Sequence, residues 1–582
     1  MSFVVDRRMR LHALSFAIAI AVSALAAPAM AGKADLAGLS SEQTYDQFIV
    51  GYRSGSPERG SVAKAKESLA RAASMQVGGK ALALKHLRRM AIGSDVVHAD
   101  RKLDRVEAES LMRQIAVDPD VEYVAVDRRM QAVMTPNDPE YTQQWGYKGT
   151  YGIRADYAWD VTNGAGVVVA VIDTGITNHS DLNANILPGY DFISNSWAAA
   201  DFDGRDGNPS DMGDWIIANQ CGNPIAHTSS WHGTHVAGTV AAVTNNAQGV
   251  AGVAHGAKVV PVRVLGKCGG YESDIADAIE WASGGNVPGV PVNANPAEVI
   301  NMSLGGSGAC GATYQQAIDH AVGRGTTVVV AAGNSNQNAA DFAPASCSNV
   351  IAVGATNSAG ARSIFNPNVP DAASNYGSLV DVAAPGSNIR STLNAGTASP
   401  GAENYVSYQG TSMAAPHVAG VVALIQSVVA TPKTPAQVET LIKCTATPFP
   451  STPSQPIGTG IVNAQNAVNA AMAVPLSVAG NAGSAIAPQT VGVRTATVSG
   501  PGNASCKTQV FVSFSPMGPS PTQLELVAPD GSVYPLQAGF GLGNQPYTLN
   551  LSNEARAGTW QLRVNNTSTT PATLTSWGMS FN

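Results

Sequence analysis

Charge is scarce in this 582-residue chain: Asp, Glu, Lys and Arg make up 13% of it, and the formal net charge is −7. Such a chain lacks the strongly basic balance that favours nucleic-acid partners. It also has no C-x-x-C pair, no H-E-x-x-H segment and no G-x-S-x-G segment. These absences argue against a zinc ribbon or redox dithiol, a zincin-type metalloprotease, and a lipase or esterase with a nucleophile elbow.

Long apolar runs are absent except near the N-terminus, where 13-ALSFAIAIAVSALAA-27 follows Arg7, Arg8 and Arg10. The small residues of 29-AMA-31 then complete the pattern of a secretory signal peptide, which we predict over residues 1–31. The alternative is a membrane anchor, for which the run is short. We therefore expect no membrane span and a secreted, extracellular protein; the short Arg-rich signal favours a bacterial source.

Six cysteines form an even set, which in an exported protein favours disulfides. Their sequence separation suggests Cys221–Cys268 and Cys310–Cys347, and this leaves Cys444 with Cys506. Because six cysteines allow fifteen pairings, other connectivities stay open at this point.

Charge is unevenly distributed along the chain. Residues 33–136 contain 16 basic and 14 acidic residues, whereas 137–582 contain 15 basic and 26 acidic ones. The first segment is charged and helix-prone, and the second is rich in glycine and poor in lysine. We expect a domain boundary near residue 136. Composition alone fits both a segment discarded after folding and an ordinary interaction domain.

Apolar, β-branched runs alternate with helix-like segments between about 166 and 430. The predicted strands are 167–173, 258–265, 298–304, 326–334 and 349–356, with helices such as 273–283 and 313–325 between them. Runs without strict alternation indicate strands covered on both faces, so we predict an α/β fold with a parallel sheet and helices on both faces. Functional side chains should lie at the carboxyl ends of strands, where Asp173, Ser303 and Asn334 occur.

After about 475 the chain becomes rich in Gly, Pro, Ser, Thr and Asn, with short strand-like segments at 509–515, 523–536, 559–566 and 574–581. The turn signal 528-APDGSV-533 predicts a hairpin. We expect a small all-β sandwich or barrel here.

Two histidines three residues apart, His232 and His235, lie in 230-SWHGTHVAGTV-240. A zincin motif would need a spacing of four and a glutamate, so a metal site is disfavoured. The other interpretation is a general base, which needs a carboxylate and a nucleophile. Asp173 follows a buried strand, and Ser412 opens a small-residue helix in 409-QGTSMAAPHVAG-420. Taken singly, Asp173 could be a turn residue and Ser412 a helix cap.

Taken together, 173-DTGI-176, 232-HGTHVAG-238 and 410-GTSMAAPHVAG-420 resemble the subtilases, the subtilisin-like serine peptidases (peptidase S8), in which Asp, His and Ser follow in this order. The segments 301-NMSLGG-306, 331-AAGN-334 and 458-GTGIVNAQNAV-468 extend the resemblance over about 137–470. It implies that Ser412 is the nucleophile, His232 the general base and Asp173 the group that orients it. It further implies an oxyanion hole from Asn334 and the Ser412 N–H, with Ser303, Leu304 and Gly305 along the substrate; His235 and His417 are expected to be structural.

Subtilases commonly bind structural calcium, and the resemblance implies a Ca²⁺ site whose ligands would come from Asp138, Asp181, Val243 and Asn245 or Asn246. A second candidate is 201-DFDGRDGNPSDMGD-214, with five aspartates: Asp201, Asp203, Asp206, Asp211 and Asp214. It is not an EF-hand, because the closing glutamate and the spacing are missing. The alternative for this segment is an acidic, solvated loop.

The flanking segments also resemble parts of this family. Residues 32–136, through 45-YDQFIVGYR-53 and 115-IAVDPDVEYVAVDRRM-130, resemble the small α+β inhibitory propeptide, which precedes a catalytic domain over 137–475. Self-cleavage is expected between Val126 and Asn137; the alternative is a cut after Arg128–Arg129 by another peptidase. Residues 483–582 resemble the jelly-roll-like P (homo B) domain, through 524-LELVAPDGSVYPL-536, 557-AGTWQLRVNN-566 and 574-LTSWGMSF-581.

The sequence therefore predicts a secreted, monomeric serine endopeptidase, made as a zymogen, with protein or peptide substrates and its own propeptide as inhibitor and folding aid. A catalytically inactive subtilase that binds its partner is one alternative. A carbohydrate- or cell-surface-binding protein, which would depend on the β-rich tail, is another. Loss of activity in a Ser412→Ala variant would separate a peptidase from either binding protein.

Overall fold

The structure is a computed structural model, and it describes residues 32–36, 39, 44–73, 81–128, 135–472, 476–483, 485–498, 504–505, 507–515, 522–536, 547–551 and 554–581. The predicted signal peptide, 1–31, lies outside these residues. The chain divides into two compact units, 1–129 and 130–582, which are described separately. The division falls close to the change in charge density, whereas the boundary at 136 stays a prediction.

The first unit is an α+β structure with a five-stranded sheet in the order β1-β5-β2-β4-β3. Its strands are β1 (Lys33–Asp35), β2 (Tyr45–Tyr52), β3 (Leu84–Arg89), β4 (Asp95–Leu103) and β5 (Val121–Val126). Its helices are α1 (Pro57–Gly60), α2 (Val62–Ala73) and α3 (Arg105–Ala116). One core joins sheet and helices, since Phe48 and Val124 pack with Leu69 and Leu111.

The second unit contains a seven-stranded parallel sheet in the order β14-β13-β11-β9-β6-β8-β7. Its strands are β6 (Val168–Asp173), β7 (Tyr190–Asp191), β8 (Lys258–Arg263), β9 (Val299–Met302), β11 (Thr327–Ala331), β13 (Ile351–Thr356) and β14 (Val382–Pro385). The five predicted strands are β6, β8, β9, β11 and β13, so the parallel α/β sheet is confirmed. Short strands β10 (Gly306–Ser307) and β12 (Phe342–Ala343) form an antiparallel pair, as do β15 (Ile389–Asn394) and β16 (Glu403–Tyr408).

Helices cover both faces of this sheet. They are α4 (Ala155–Ala158), α5 (Ser196–Ala199), α6 (His232–Ala241), α7 (Glu272–Ala282), α8 (Ala312–Gly323), α9 (Thr411–Ser427), α10 (Pro435–Cys444) and α11 (Ala464–Met472). Alternate residues of β6 enter different cores: Val169 and Val171 pack with α6 and α9, whereas Ala170 and Ile172 pack with α7 and α8. This two-sided burial explains why the strand is apolar without alternation.

The C-terminal part is all β, with two four-stranded sheets in the orders β17-β24-β19-β22 and β18-β23-β20-β21. The strands are β17 (Leu476–Ala479), β18 (Thr490–Val498), β19 (Thr508–Ser515), β20 (Thr522–Val527), β21 (Val533–Leu536), β22 (Tyr547–Leu549), β23 (Gly558–Asn566) and β24 (Thr573–Phe581). Trp560 and Trp577 lie in one shared core. The predicted hairpin at 528–533 joins β20 to β21.

Two predicted disulfides are present, Cys221–Cys268 and Cys310–Cys347, with Cα–Cα distances of 5.5 and 5.0 Å. Cys444 is also disulfide-bonded. Its predicted partner, Cys506, lies outside the described residues, so that pairing stays a prediction.

Arg263, at the end of β8, is fully buried, and its Nη1 lies 2.5 Å from Asp191 Oδ2 and 2.7 Å from Asp201 Oδ2. We expect Arg263→Met to destabilise the second unit by about 3–5 kcal/mol, because Asp191 would be left buried and unpaired. Guanidinium unfolding in a Ser412→Ala background, which prevents self-digestion, measures the loss. The double variant Arg263→Met/Asp191→Asn should recover part of it, and equal stability of the two variants would contradict the explanation.

Candidate active site

Three predicted site residues lie at the carboxyl edge of neighbouring strands. Asp173 is the last residue of β6, Ser303 directly follows β9, and Asn334 comes three residues after β11. Because β11, β9 and β6 are adjacent in the sheet, these residues share one edge. Two helices bring the remaining groups: His232 is the first residue of α6, and Ser412 is the second residue of α9.

Asp173 and His232 form a close pair. His232 Nδ1 lies 2.8 Å from Oδ1 and 3.0 Å from Oδ2 of Asp173. The carboxylate has no exposed surface, whereas the imidazole side chain is 21% exposed. A carboxylate that accepts the Nδ1–H leaves the lone pair of the neutral ring on Nε2. The exposed part of the ring is therefore suited to accept a proton.

The start of α6 is fixed against the end of β6. The Gly233 N–H donates to Thr174 Oγ1 at 2.9 Å, and the Thr174 N–H donates to Asp173 Oδ1 at 2.7 Å. The approach is close, since a Cβ on Gly233 would lie 2.2 Å from the Gly175 carbonyl oxygen. Only glycine fits this position, which explains why glycine follows His232 in this chain.

Acidic neighbours set the electrostatics of His232. Burial by itself lowers the pKa of this histidine, but Asp173, through its charge and its hydrogen bond, acts in the opposite direction. The charges of Asp214 and Asp211 add to this effect, so the pKa of His232 is raised above its ordinary value. Burial raises the pKa of Asp211 to about 7, although Thr174 Oγ1 donates to its Oδ2 at 2.6 Å.

The Asn334 amide is oriented by Thr411. The Thr411 N–H and Oγ1–H donate to Asn334 Oδ1 at 2.8 and 2.9 Å, which leaves Nδ2 as the outward donor. Gly410 has φ 149° and no side chain; a Cβ there would lie 3.4 Å from Asn334 Nδ2 and 3.6 Å from Ser412 N. Two N–H-bearing nitrogens thus flank one point beside Ser412, an arrangement suited to an oxyanion.

An open cleft of about 430 Å³ adjoins the histidine. Its lining includes His232, Ser303, Thr174 and Asp214, together with the following residues of two loops: Ile216, His227, Thr228, Ser230, Leu265, Gly266, Cys268 and Gly269. Of the predicted substrate wall, Ser303 lines this cleft and Gly305 is exposed. The Leu304 side chain is instead buried in the core shared with α7 and α8, so only its backbone is available to a substrate.

His235 and His417 are both fully buried and away from any metal-type cluster within the part of the chain that is described. His235 Nε2 lies 3.0 Å from the Ile389 carbonyl oxygen, and its ring stacks on Tyr408. Burial lowers the pKa of His235 to about 3. His417 Nδ1 donates to the Met413 carbonyl oxygen at 2.8 Å. Burial also lowers the pKa of His417, to about 4, so both histidines remain neutral. His235 connects α6 to β15, whereas the His417 hydrogen bond lies within α9.

The first candidate calcium set does come together. Asp138 is 3% exposed and accepts the backbone N–H groups of Asn245 and Asn246 at 2.9 and 3.2 Å. Asp181 has no exposed surface and accepts Asn246 Nδ2 at 2.7 Å; the Val243 N–H donates to its carbonyl oxygen at 2.7 Å. Burial raises the pKa of Asp181 to about 6. Among the described residues, these two buried carboxylates accept hydrogen bonds from neutral donors, and such a pair suits a hard cation.

The second candidate set does not form one group. Asp201 pairs with Arg263, Asp211 binds Thr174, and Asp214 accepts the Ser230 N–H and Oγ–H at 2.6 and 2.7 Å. Asp206 Oδ1 accepts the Asn208 N–H in a separate turn. Within the described ranges no cluster of three acidic, His or Cys side chains fits a metal ion. Asp211 and Asp214 instead lie near His232, where their charges raise its pKa.

Sequence reasoning missed several supporting groups. Thr174 and Thr411 each sit beside a predicted catalytic residue, so their place inside D-T-G and G-T-S was the available signal. The cleft-lining residues Ile216, His227 and Thr228 carried no comparable signal, because they belong to none of the motifs. The Cys221–Cys268 disulfide joins their segment to Cys268, which also lines the cleft.

Comparison with known proteins agrees with this geometry. Residues 164–469 match the model of the subtilase family (peptidase S8), and 507–581 match the proprotein convertase P-domain. The chain belongs to the subtilase family and is a serine protease of that family. Among the described residues, no helix is both long enough and apolar enough to cross a membrane.

Individual relatives cover most of the chain. It is 59% identical to an extracellular protease of Xanthomonas campestris over 77% of each chain, and 42% identical to an extracellular basic protease of Dichelobacter nodosus over 92% of each. A solved protease structure from Pseudoalteromonas arctica is 55% identical, covers 58% of this chain and 100% of its own, and superimposes with a TM-score of 0.56.

The raised pKa of His232 predicts a pH profile. A base must be neutral, so the acid limb of kcat/KM should lie above the ordinary imidazole value of about 6.5. Asp214→Asn removes a negative charge that stabilises the imidazolium form of His232, so the acid limb should move to lower pH. The expected shift is about half a pH unit, because a screened charge contributes about 0.2–1 kcal/mol and one pKa unit corresponds to about 1.36 kcal/mol. Hydrolysis of an uncharged peptide substrate measures it. Asp371→Asn, at an exposed aspartate, is the control; a shift to higher pH in Asp214→Asn would contradict the argument.

Proposed function

We propose that this chain is an exported serine endopeptidase that cleaves protein substrates through an Asp173–His232–Ser412 triad. The observation that carries the proposal is the pair of Asp173 and His232, 2.8 Å apart, with the carboxylate buried and the imidazole facing an open cleft. Structural ion pairs of histidine do not require an adjoining substrate-sized cleft. The extracellular names of the two curated relatives support export.

The proposed reaction proceeds by acyl transfer. His232 Nε2 takes the proton from Ser412 Oγ as the oxygen attacks the scissile carbonyl carbon, and the imidazolium then gives that proton to the leaving amine. Asp173 holds the tautomer with hydrogen on Nδ1 and stabilises the imidazolium. Water then attacks the acyl-enzyme ester with His232 again as the base, and this releases the new carboxyl end.

Asn334 Nδ2 and the Ser412 N–H are proposed to donate to the oxyanion. Support comes from Thr411, which donates to Asn334 Oδ1, and from Gly410, where a Cβ would lie within 3.6 Å of both nitrogens. Removing one such donor costs about 2.7–4 kcal/mol of transition-state stabilisation. An extended substrate backbone would pair with the edge formed by Ser303, Leu304 and Gly305.

Maturation by self-cleavage is also proposed. Residues 32–136 would act as inhibitor and folding aid, 137–475 as the catalytic domain and 483–582 as the P domain, with 1–31 removed as the signal peptide. A compact unit of its own, with a separate core, supports the assignment of the first segment. We further propose that the mature enzyme is a monomer. Its few lysines and its disulfides would slow its own digestion.

A structural Ca²⁺ is proposed at Asp138 and Asp181, with oxygen ligands from Val243 and from Asn245 or Asn246. When bound, the cation would neutralise two buried carboxylates and connect the segment at 137–138 to the loop at 243–250. Asp206, Asp211 and Asp214 are not proposed as a joint site, because their carboxylates accept donors from different segments, whereas Asn246 donates to both Asp138 and Asp181.

Ser412→Ala tests the catalytic proposal. Wild-type precursor, expressed with calcium, should lose about the first 130 residues over time and digest casein, whereas Ser412→Ala should do neither, as followed by intact mass. Ser427→Ala, on the same helix α9, is the matched control and should behave as wild type. Trimming of Ser412→Ala without activity would mean that another peptidase matures the chain; a folded, trimmed wild type that never cuts protein would overturn the proposal.

Calcium removal tests the metal proposal. In the Ser412→Ala background, EDTA should lower the thermal midpoint; a ligand at 100 times its Kd adds about 2.7 kcal/mol of stability. Asp181→Asn should be less stable and nearly insensitive to EDTA, while Asp206→Asn should keep the wild-type sensitivity. Equal EDTA sensitivity in Asp181→Asn and wild type would place the cation elsewhere.

A further inference from the structure

A proline lies inside the helix that carries the proposed nucleophile. Pro416 stands four residues after Ser412 within α9. In a regular helix the N–H at this position would donate to the Ser412 carbonyl oxygen, but proline has no N–H, and its ring crowds that same carbonyl. The carbonyl of the proposed nucleophile therefore cannot be held by its own helix.

A side chain from the neighbouring strand supplies the missing donor. Ser303 Oγ lies 2.8 Å from the Ser412 carbonyl oxygen. Asn301 Nδ2 donates to the same Ser303 Oγ at 2.9 Å, so the hydroxyl already accepts one hydrogen bond and its own hydrogen is directed at Ser412. Asn301 and Ser303 are 0% and 3% exposed.

Asn301 is a polar residue in an otherwise apolar, buried strand. Its partners across the sheet are Val171 of β6 and Val329 of β11, which are both buried in the apolar core shared with α6 and α9. Its Oδ1 is buried and has no hydrogen-bond partner among the residues that the structure describes. A half-satisfied buried amide destabilises a fold, so a separate benefit should explain its presence.

We propose that Ser303 is a positioning residue that replaces the helix hydrogen bond removed by Pro416, with Asn301 directing its hydroxyl. The proposal depends on Ser412 being the nucleophile, as set out under the proposed function. The Ser412 carbonyl carbon, Cβ and backbone nitrogen are bonded to the same Cα, so holding the carbonyl restrains the backbone N–H and the Cα–Cβ bond from which Oγ projects. Because Ser303 also lines the substrate cleft, it connects the substrate edge to the attacking residue.

A double-mutant cycle tests this role. Ser303→Ala removes the donor, and kcat should fall about tenfold with KM within about twofold, since the substrate still binds but the nucleophile is misplaced. Pro416→Ala restores an N–H to the carbonyl. In the Pro416→Ala background, Ser303→Ala should therefore change kcat by less than about twofold, a non-additive rescue. Rates are normalised by active-site titration.

Ser427→Ala is the matched control, because Ser427 Oγ donates to the Leu424 carbonyl oxygen at 2.7 Å at the far end of the same helix. It should leave kcat and KM unchanged. If Ser303→Ala does not fold, Ser303→Cys, with a weaker donor, should give an intermediate fall in kcat.

Three results separate the possibilities. Unchanged kcat in Ser303→Ala overturns the positioning role. A tenfold fall that is the same in both Pro416 backgrounds overturns it as well, because the hydroxyl would then act by another route. Full activity in Ser412→Ala would instead overturn the proposed function on which the inference depends. The activity of Ser412→Ala is therefore measured before that of any Ser303 variant.

Discussion

The hydrogen bond between a fully buried Asp173 and a partly exposed His232 is the interaction on which the rest of the site depends. A carboxylate without solvent is stable only when its oxygens accept donors, and here the Thr174 N–H and the imidazole supply them. The last residue of a buried strand and the first residue of a helix must therefore meet within hydrogen-bond distance. Gly233 allows that approach, and Thr174 connects the helix start to the strand end.

The parallel sheet positions the other residues of the site. Adjacent strands β11, β9 and β6 end in the segments that contain Asn334, Ser303 and Asp173, so these three residues share one edge of the sheet. The helices α6 and α9 enter from one face and bring His232 and Ser412. Side chains that hold these groups, such as Thr411 and Thr174, come from the same short motifs as the groups themselves. Local sequence thus determines much of the local geometry.

Much of this was predictable for physical reasons, and some was not. A continuous run of apolar residues predicts a strand that is covered on both faces, such as β6. The ordered motifs around Asp173, His232 and Ser412 identify the family. The hairpin of β15 and β16 was missed because its strands, 389-IRSTLN-394 and 403-ENYVSY-408, are rich in polar residues and resemble loop sequence. The aspartates at 211 and 214 were interpreted as metal ligands from density of charge alone. Only the three-dimensional structure reveals that each binds a different protein donor beside His232.

Successive side chains of β6 pack into two different cores, one on each face of the parallel sheet. The helix layers on these two faces contribute differently to the site. One layer, with α6 and α9, holds the groups proposed for the chemistry, and the other, with α7 and α8, holds none of them. A substitution in the layer with α7 and α8 would therefore act on stability, and on the proposed substrate edge through the buried Leu304 side chain, before it affects His232 or Ser412.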